Sequence, residues 1–455
     1  MRKETVSRRR FMGSVLAAGT APLIFPAGLF GDEAPSGKLN IACIGIGNQG
    51  GGISRHIGRH PRVQVVGLCD VDMRLGGETL GAFPNAARYE DFRVMLEELE
   101  SDIDAVVVGT PDHSHFPAAI MAMSMGKHVF VEKPLANTFF EAELLMRAEE
   151  KYGVVTQMGN QGHSGANYFQ SKAFAEEGLF DDIHTIISYM NSGRRWHPWG
   201  DVPGFPEGEN PPEGLRWDLW HATAEERPYS GRYHPGNWRG WYRYGMGALG
   251  DWGPHILDTA HRFMELGLPT RIEPVHIKQH NPYIFPLEST IKFTFPDRGA
   301  KPPVTVYWYD GTGNRPQLPP EFAEMGIGNI GSFGNHGRFL VGEKHIFHGG
   351  SHGDALRVIP EARRQEVQQH LPRFSGGTDH YYNFVLAALG ETTANSPFSV
   401  AGVLNQMFNL GVIAMELNEA LTFNPQTKRF VDNDAANALL FGPPPRAGWE
   451  GFYKL

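Results

Sequence analysis

Three residues could together move a proton to or from a hydroxyl group: Lys133, Asp251 and His255. Lys133 stands in Glu132-Lys133-Pro134, directly after the apolar run His128 to Val131. A lysine leaving a buried strand beside a proline that fixes the turn can point into a crevice, bind a hydroxyl and assist its proton loss. Asp251 and His255 belong to Gly245-Met246-Gly247-Ala248-Leu249-Gly250-Asp251-Trp252-Gly253-Pro254-His255. Four residues apart, they share a face if that turn is helical, and a carboxylate there would raise the imidazole pKa and orient it as a base. Pro254 suits the first turn of such a helix. The plainer readings are a surface turn for Glu-Lys-Pro and a buried, hydrogen-bonded His255. Asp258 and His261 add acid and imidazole, but no established metal-ligand motif is present, so no metal is expected.

A nucleotide must sit near these groups if the next motif is read by its mechanics. Gly45-Ile46-Gly47-Asn48-Gln49-Gly50 follows an apolar run and is followed by Asp70, 20 residues after Gly50. Gly45 permits the tight turn, Gly47 lets the backbone approach a pyrophosphate, and Gly50 lets the helix pack close. The helix start offers free N–H groups to phosphates. A carboxylate at Asp70 suits both ribose hydroxyls of NAD and repels a 2′-phosphate, which favours NAD over NADP. Thr110-Pro111-Asp112-His113-Ser114-His115 follows another strand, where loops face the ligand crevice. His113 and His115 could touch cofactor or substrate there, or serve as ordinary loop polarity.

The elements that position these motifs alternate. Strands are expected at 39–46, 63–69, 105–108, 128–131 and 154–158, with helices at 51–60, 92–99, 117–125 and 140–152. That spacing means parallel βαβ units, a doubly wound nucleotide domain over residues 38–158. Beyond residue 180 the runs 183–190, 272–279, 287–295, 304–309 and 338–341 alternate like half-buried strands. They predict a mostly antiparallel sheet in an α+β domain over 159–455, closing with helices at 378–390 and 399–420. Residues 191–250 interrupt this with Gly, Pro and six of the nine tryptophans. So long a loop is either functional or an oligomer arm.

The chain begins with Ser7-Arg8-Arg9-Arg10-Phe11-Met12 ahead of an apolar stretch to Phe30, broken by Gly13, Gly19, Pro22, Pro26 and Gly28. This is the layout of a removable twin-arginine export signal, residues 1–31, with an N-terminal membrane anchor as the alternative. No second apolar run is read as long enough to span a bilayer. The whole chain carries −9; removing 1–31 takes a net four positive charges with it and leaves −13. An acidic chain without a basic stripe is a poor nucleic-acid binder. Cys43 and Cys69 are the only cysteines, both in apolar runs, and read as core residues. Twin-arginine export carries folded proteins, so a nucleotide enzyme sent out this way must bring its cofactor, hold it tightly and regenerate it in place.

The order of glycine fingerprint, Thr110-Pro111, Glu132-Lys133-Pro134 and Gly-x-x-x-Asp-x-x-x-His resembles the Gfo/Idh/MocA family. The resemblance is strong over residues 38–160 and 236–270. It implies a nucleotide-binding domain followed by a large, mostly antiparallel sheet. It further implies that Lys133, Asp251 and His255 are the catalytic set, with His255 or Lys133 handling the hydroxyl proton, and that Glu132 lies near the cofactor. Asn237-Trp238-Arg239-Gly240-Trp241, with the twin-arginine start, resembles an exported bacterial branch associated with sugar and glycoside oxidation. Indoles stack on sugar C–H faces and Arg and Asn bind hydroxyls, so Arg194, Arg195, Asn237, Trp238, Arg239 and Tyr242 are substrate-binding candidates, with an oligomer interface (dimer or tetramer) as the rival use of the segment. Three functions stay open on these residues. They are an NAD-dependent oxidoreductase on a carbohydrate hydroxyl, a redox-neutral enzyme that cleaves glycosides by oxidation and elimination, and a sugar- or nucleotide-binding protein without chemistry.

Overall fold

A computed structural model describes residues 37–455 except 194–198 and 328–329. The twin-arginine segment and Arg194, Arg195 and Trp196 therefore lie outside the described residues. Six strands form one parallel sheet in the order β3-β2-β1-β4-β5-β6. They are β1 (Leu39–Ile44), β2 (Val63–Cys69), β3 (Ala87–Tyr89), β4 (Ala105–Val108), β5 (His128–Val131) and β6 (Thr156–Met158). Helices cover both faces, which is why β4 is apolar at every position. The strand β3 has no counterpart in the sequence reading, because three residues are too few to show a period.

Helices α1 (Asn48–Ile57), α2 (His115–Ser124) and α3 (Phe139–Tyr152) belong to this layer. A capping box of Thr138 and Glu141 starts α3 and a left-handed Gly153 ends it.

Nine further strands form the second sheet: β7 (Ile183–Met190), β8 (Arg271–Lys278), β9 (Glu288–Phe295), β10 (Val304–Asp310), β11 (His336–Gly342), β12 (Ile346–Gly349), β13 (Arg357–Ile359), β14 (Leu421–Asn424) and β15 (Arg429–Phe430). Their order is β13-β12-β11-β7-β10-β9-β8-β14-β15, antiparallel throughout except for the parallel pair β7–β10. In β10, buried and half-buried residues alternate without a break, as in a sheet with one face toward the core.

Three helices lock the two sheets together. Helix α4 (Gly247–Ile256) carries Asp251 and His255, and α5 (His380–Ala388) packs Phe384 and Val385 onto β1 and β4. Helix α6 (Phe398–Leu417) places Phe398 and Ala401 in the core of the parallel sheet and Leu404, Met407 and Phe408 in the core of the second sheet. The sequence reading of no second span-length apolar run is corrected here. This helix is long and apolar enough by composition to cross a bilayer, but 83% of its apolar window is buried inside the protein. Pro254 also departs from expectation, for it lies near the C-terminal end of α4 and not in the first turn. The glycines before it are part of the helix because they pack closely: a Cβ on Gly253 would stand 2.8 Å from the Phe408 ring.

Candidate active site

Glycine contacts shape the nucleotide groove. Gly45 has φ +80°, and a Cβ there would come within 2.7 Å of the Gly109 carbonyl carbon. A Cβ on Gly50 would lie 2.2 Å from the Gly45 oxygen. The fingerprint turn is thus pressed against the end of β4, with no room for side chains. The groove beside it is lined by Gly45, Gly47, Asn48, Gln49, Asp70 and Thr110 among others. Pro111 lines it too, whereas the Ile46 side chain is buried in the core. Asp70 accepts hydrogen bonds from the Ile46 N–H (2.8 Å), the Gly47 N–H (3.3 Å) and the Asp72 N–H (2.9 Å). Burial pushes its carboxyl above the usual range, against those three donors. Both features fit a dinucleotide: a close-approach cradle, and a carboxylate fixed at the end of the second strand.

The far wall of the groove is unexpected. It is the Trp-rich segment, through Trp220, His234, Trp238 and Arg239, together with Trp449 from the end of the chain. His234 Nε2 lies 2.9 Å from Asp72 Oδ2, and the Arg216 N–H donates to the Val71 carbonyl at 2.8 Å. Arg446 donates to the carbonyls of Ala222 (2.6 Å) and Asp218 (2.7 Å). The groove has a roof, tied at both ends.

Of the substrate-binding candidates in this segment, the structure places Tyr242 in the core and Trp238 and Arg239 on the groove wall. The segment's indoles pack on one another: Trp217 stacks on Trp220 at 4.4 Å, and Trp241 is fully buried with its Nε1–H donated to the Arg232 carbonyl. Tyr242 is a core residue 4.2 Å from the Phe285 ring, and Trp238 and Arg239 face the nucleotide groove. A segment with little regular structure gains its stability by building its own aromatic core. His113 and His115 also turn away from the groove. His113 Nε2 meets the Trp220 carbonyl at 2.8 Å, and His115 is wedged between the carbonyls of Pro134 (2.7 Å) and Thr110 (2.8 Å). Burial pulls His115 down to about 4, against the two carbonyls, which favour its charged form, and the ring braces the Lys133–Pro134 turn.

Lys133 and α4 meet beyond the groove. The Lys133 ammonium donates to Asp251 Oδ1 at 2.6 Å and to the Asp251 carbonyl at 3.2 Å. His255 is 4% exposed, and its Nδ1 has no partner among the described residues. The expected Asp251–His255 couple is therefore replaced by a Lys133–Asp251 couple. The carboxylate is taken by the lysine, and burial, with Lys133 nearby, holds the His255 imidazole well below its ordinary range rather than above it.

Sequence reasoning missed several neighbours. Asp112 is buried, accepts from the Met246 N–H at 3.1 Å, and is pushed by burial up to about 7. Its loop was noticed, but for the histidines. His352, on the turn after β12, stacks on His255 with centroids 3.9 Å apart, and its N–H donates to the His255 carbonyl at 3.0 Å. The one available signal was its glycine-flanked setting, Gly349-Gly350-Ser351-His352-Gly353. Buried polar atoms without a partner among the described residues cluster here: Thr110 Oγ1, Glu132 Oε1, Asn160 Oδ1, His163 Nε2 and His255 Nδ1. Buried polar atoms are normally paired, so these are positions where a ligand or water would complete the bonding.

Glu132 gives a measurable consequence. Burial pushes its carboxyl up to about 7, with Lys133 opposing. The folded state therefore keeps this proton over pH 4.5 to 7 while the unfolded state loses it, and stability falls as pH rises through that window. In cofactor-stripped protein, Glu132→Gln is expected to remove that slope, a gain of up to about 3 kcal/mol at pH 8 relative to pH 4.5. Urea midpoints of both proteins across this range check it, and parallel profiles would refute the buried-acid assignment.

Two family models match the chain. One is described as oxidoreductase family, NAD-binding Rossmann fold, over residues 39–160, and the other as oxidoreductase family, C-terminal alpha/beta domain, over residues 172–299. Together they cover more than half of the chain. It belongs to the Gfo/Idh/MocA oxidoreductase family. Among curated relatives, a glycosyl hydrolase family 109 protein of Shewanella pealeana is 29% identical over 35% of this chain and 36% of its own length. The scyllo-inositol 2-dehydrogenase (NADP(+)) IolW of Bacillus subtilis is 28% identical over 52% of this chain and 55% of its own. A levoglucosan dehydrogenase of Pseudarthrobacter phenanthrenivorans is 26% identical over 42% and 40%. The chain thus spans about a third to just over half of the length of these relatives. The WlbA dehydrogenase of Chromobacterium violaceum, solved with NADH and UDP-GlcNAcA, shares the fold at TM-score 0.56 and 14% identity, covering 88% of this chain and 99% of that one.

Proposed function

We propose that this family member is an NAD-dependent oxidoreductase that interconverts a hydroxyl and a keto group on a sugar or glycoside. The observation that carries the reading is the Lys133–Asp251 pair with the buried His255 beside it, beyond the glycine-lined groove. When bound, NAD supplies the carbon that exchanges hydride with the substrate. Lys133, held by Asp251, presents its remaining N–H to the substrate oxygen and stabilises the negative charge that develops there. His255, neutral through burial, takes the hydroxyl proton. The inositol and levoglucosan dehydrogenases among the relatives support a polyol or sugar substrate. Preference for NAD over NADP is supported by the carboxylates at the ribose end: Asp70 lines the groove, and Asp72 engages the Arg74 guanidinium through two hydrogen bonds of 2.6 Å.

A second reading rests on the glycosyl hydrolase family 109 relatives and on the roof. A cofactor that stays enclosed must be regenerated where it is. The same residues would then assist a cycle in which a ring hydroxyl carbon gives its hydride to the bound NAD, the acidified neighbouring C–H loses its proton, the aglycone leaves, water adds to the resulting double bond and the hydride returns to the keto carbon. Export by the twin-arginine route, to the periplasm or another extracytoplasmic site, is supported by Arg8 and Arg9 ahead of the apolar stretch. A homo-oligomer, dimer or tetramer, would cover the exposed Val275 of the broad sheet.

The test is product analysis of the as-purified protein on a panel of glycosides. A keto-sugar supports the first reading and free aglycone the second. Absence of any product across the panel would sink both.

A further inference from the structure

Apart from the nucleotide groove, a recess opens beside α4. It encloses about 470 Å³, its open mouth included. Its walls are Met190 at the end of β7, Ala248 on α4, Phe285, Pro286 and Leu287 ahead of β9, and Met415 on α6. All six are apolar. An apolar cavity of about 150 Å³ is already enough to hold a benzene ring. Gly193 and Thr312 stand exposed at the mouth, so a ring can enter between them.

The polar groups along the walls are already engaged. The Asp310 carboxylate accepts from the Ser289 N–H (3.0 Å), the Ser289 hydroxyl (2.8 Å) and the Trp308 Nε1–H (2.8 Å). The Gly311 carbonyl accepts from Asn191 Nδ2 at 2.9 Å. The N–H groups of Phe285 and Leu287 donate to the carbonyls of Gly240 and Lys278, each at 3.0 Å. A hydroxylated ring pushed inward would leave its hydroxyls short of partners, at a cost in free energy. A hydrocarbon ring would exchange water for apolar wall, a gain proportional to the area covered. The rim is braced in advance, because Asn191 Nδ2 also donates to the Asn314 carbonyl at 2.9 Å and so ties the end of β7 to the chain after β10.

The recess adjoins the reacting centre through one helix. Ala248 precedes Asp251 by three positions on α4, and residues so spaced are neighbours on a helix surface. Asp251 in turn holds Lys133. We propose that the recess takes an apolar substituent of the substrate, the aryl aglycone of a glycoside, while the sugar ring reacts at Lys133 and His255. This rests on the sugar or glycoside reading of the site.

The experiment uses the holoprotein as purified, with matched methyl and phenyl β-glycosides of glucose, galactose and N-acetylglucosamine. Calorimetry gives the dissociation constants. Wild type is expected to bind the phenyl glycoside of at least one sugar at least tenfold tighter than its methyl partner. Ala248→Leu fills the recess from α4, and Gly193→Leu plugs its mouth. The Gly193 backbone is not left-handed, and a Cβ there would meet only Thr312 Cγ2 at 3.8 Å, so this variant is expected to fold. Each is expected to shrink the phenyl-to-methyl preference at least fivefold and leave the methyl constant within twofold. Leu287→Ala widens the recess and is expected to shift preference from phenyl to naphthyl, whereas mere loosening of the fold would weaken both alike. Equal binding of methyl and phenyl glycosides by wild type, or a preference unchanged in both filling variants, would overturn the aglycone assignment and leave the sugar reading standing. A wild type that binds none of these glycosides would overturn the sugar reading and the assignment with it.

Discussion

Lys133→Met is expected to lower turnover at least 10²-fold, the scale of a lost acid–base or charge-stabilising group, while the cofactor stays bound. Lys133 does not line the groove, so its loss leaves the cradle of Gly45, Gly47 and Gly50 intact. It removes the cation that Asp251 holds at 2.6 Å and leaves a largely buried carboxylate unpaired. Some loss of stability is therefore expected too, and Lys133→Met combined with Asp251→Asn restores it without restoring turnover. His255→Asn is expected to cost a similar factor. Because burial and nearby positive charge hold the imidazole below its ordinary range, the acid limb of kcat/KM in the wild type lies below pH 6.5. The limb disappears in the asparagine variant. Near-normal turnover in either single variant removes that residue from the catalytic set.

The partnership of Lys133 with Asp251 shows what a linear reading can and cannot reach. Both residues were legible as candidates, because each stands where an element ends or a glycine-rich turn permits close approach. Their pairing spans 118 positions. Sequence spacing sees only neighbours along one helix, so it coupled Asp251 to His255 instead. The parallel sheet was legible for a related reason: its longer strands are mostly apolar, β4 entirely so, and helices of regular length separate them. The Trp-rich segment was not. Composition shows that indoles are present, but the side each presents is decided by what the segment folds against. Here that is itself and the nucleotide groove. His352 escaped notice because its place beside His255 comes from the loop after β12 docking on Gly162 and Gly165, where a Cβ on Gly165 would lie 3.2 Å from Gly353 Cα.

On the export reading, protein recovered from outside the cytoplasm is expected to carry NAD or NADH near one per chain, because the Trp-rich wall of the groove is tied down at two places. Asp72 is 1% exposed and receives both His234 and the half-exposed Arg74, which ties the Trp-rich wall down beside Asp70. The opposite tie is Arg446, which donates to two carbonyls of the roof while Trp449 packs under Arg93 at 4.3 Å. A hydrogen bond from a charged group contributes about 1.5–3 kcal/mol, and each 1.4 kcal/mol is tenfold in an equilibrium. Arg446 does not itself line the groove but holds Ala222 and Trp449, which do, so Arg446→Ala is expected to speed cofactor release at least tenfold. Replacing Arg8 and Arg9 by lysine is expected to keep the precursor inside the cell. Cell fractionation gives the location, mass analysis of denatured protein gives the cofactor content, and a chase with excess labelled NAD gives the release rate. If the exported protein is empty and works only with added NAD, the enclosed-cofactor reading falls. If wild type and Arg446→Ala release NAD at the same rate, the groove has another exit and the roof does not govern retention.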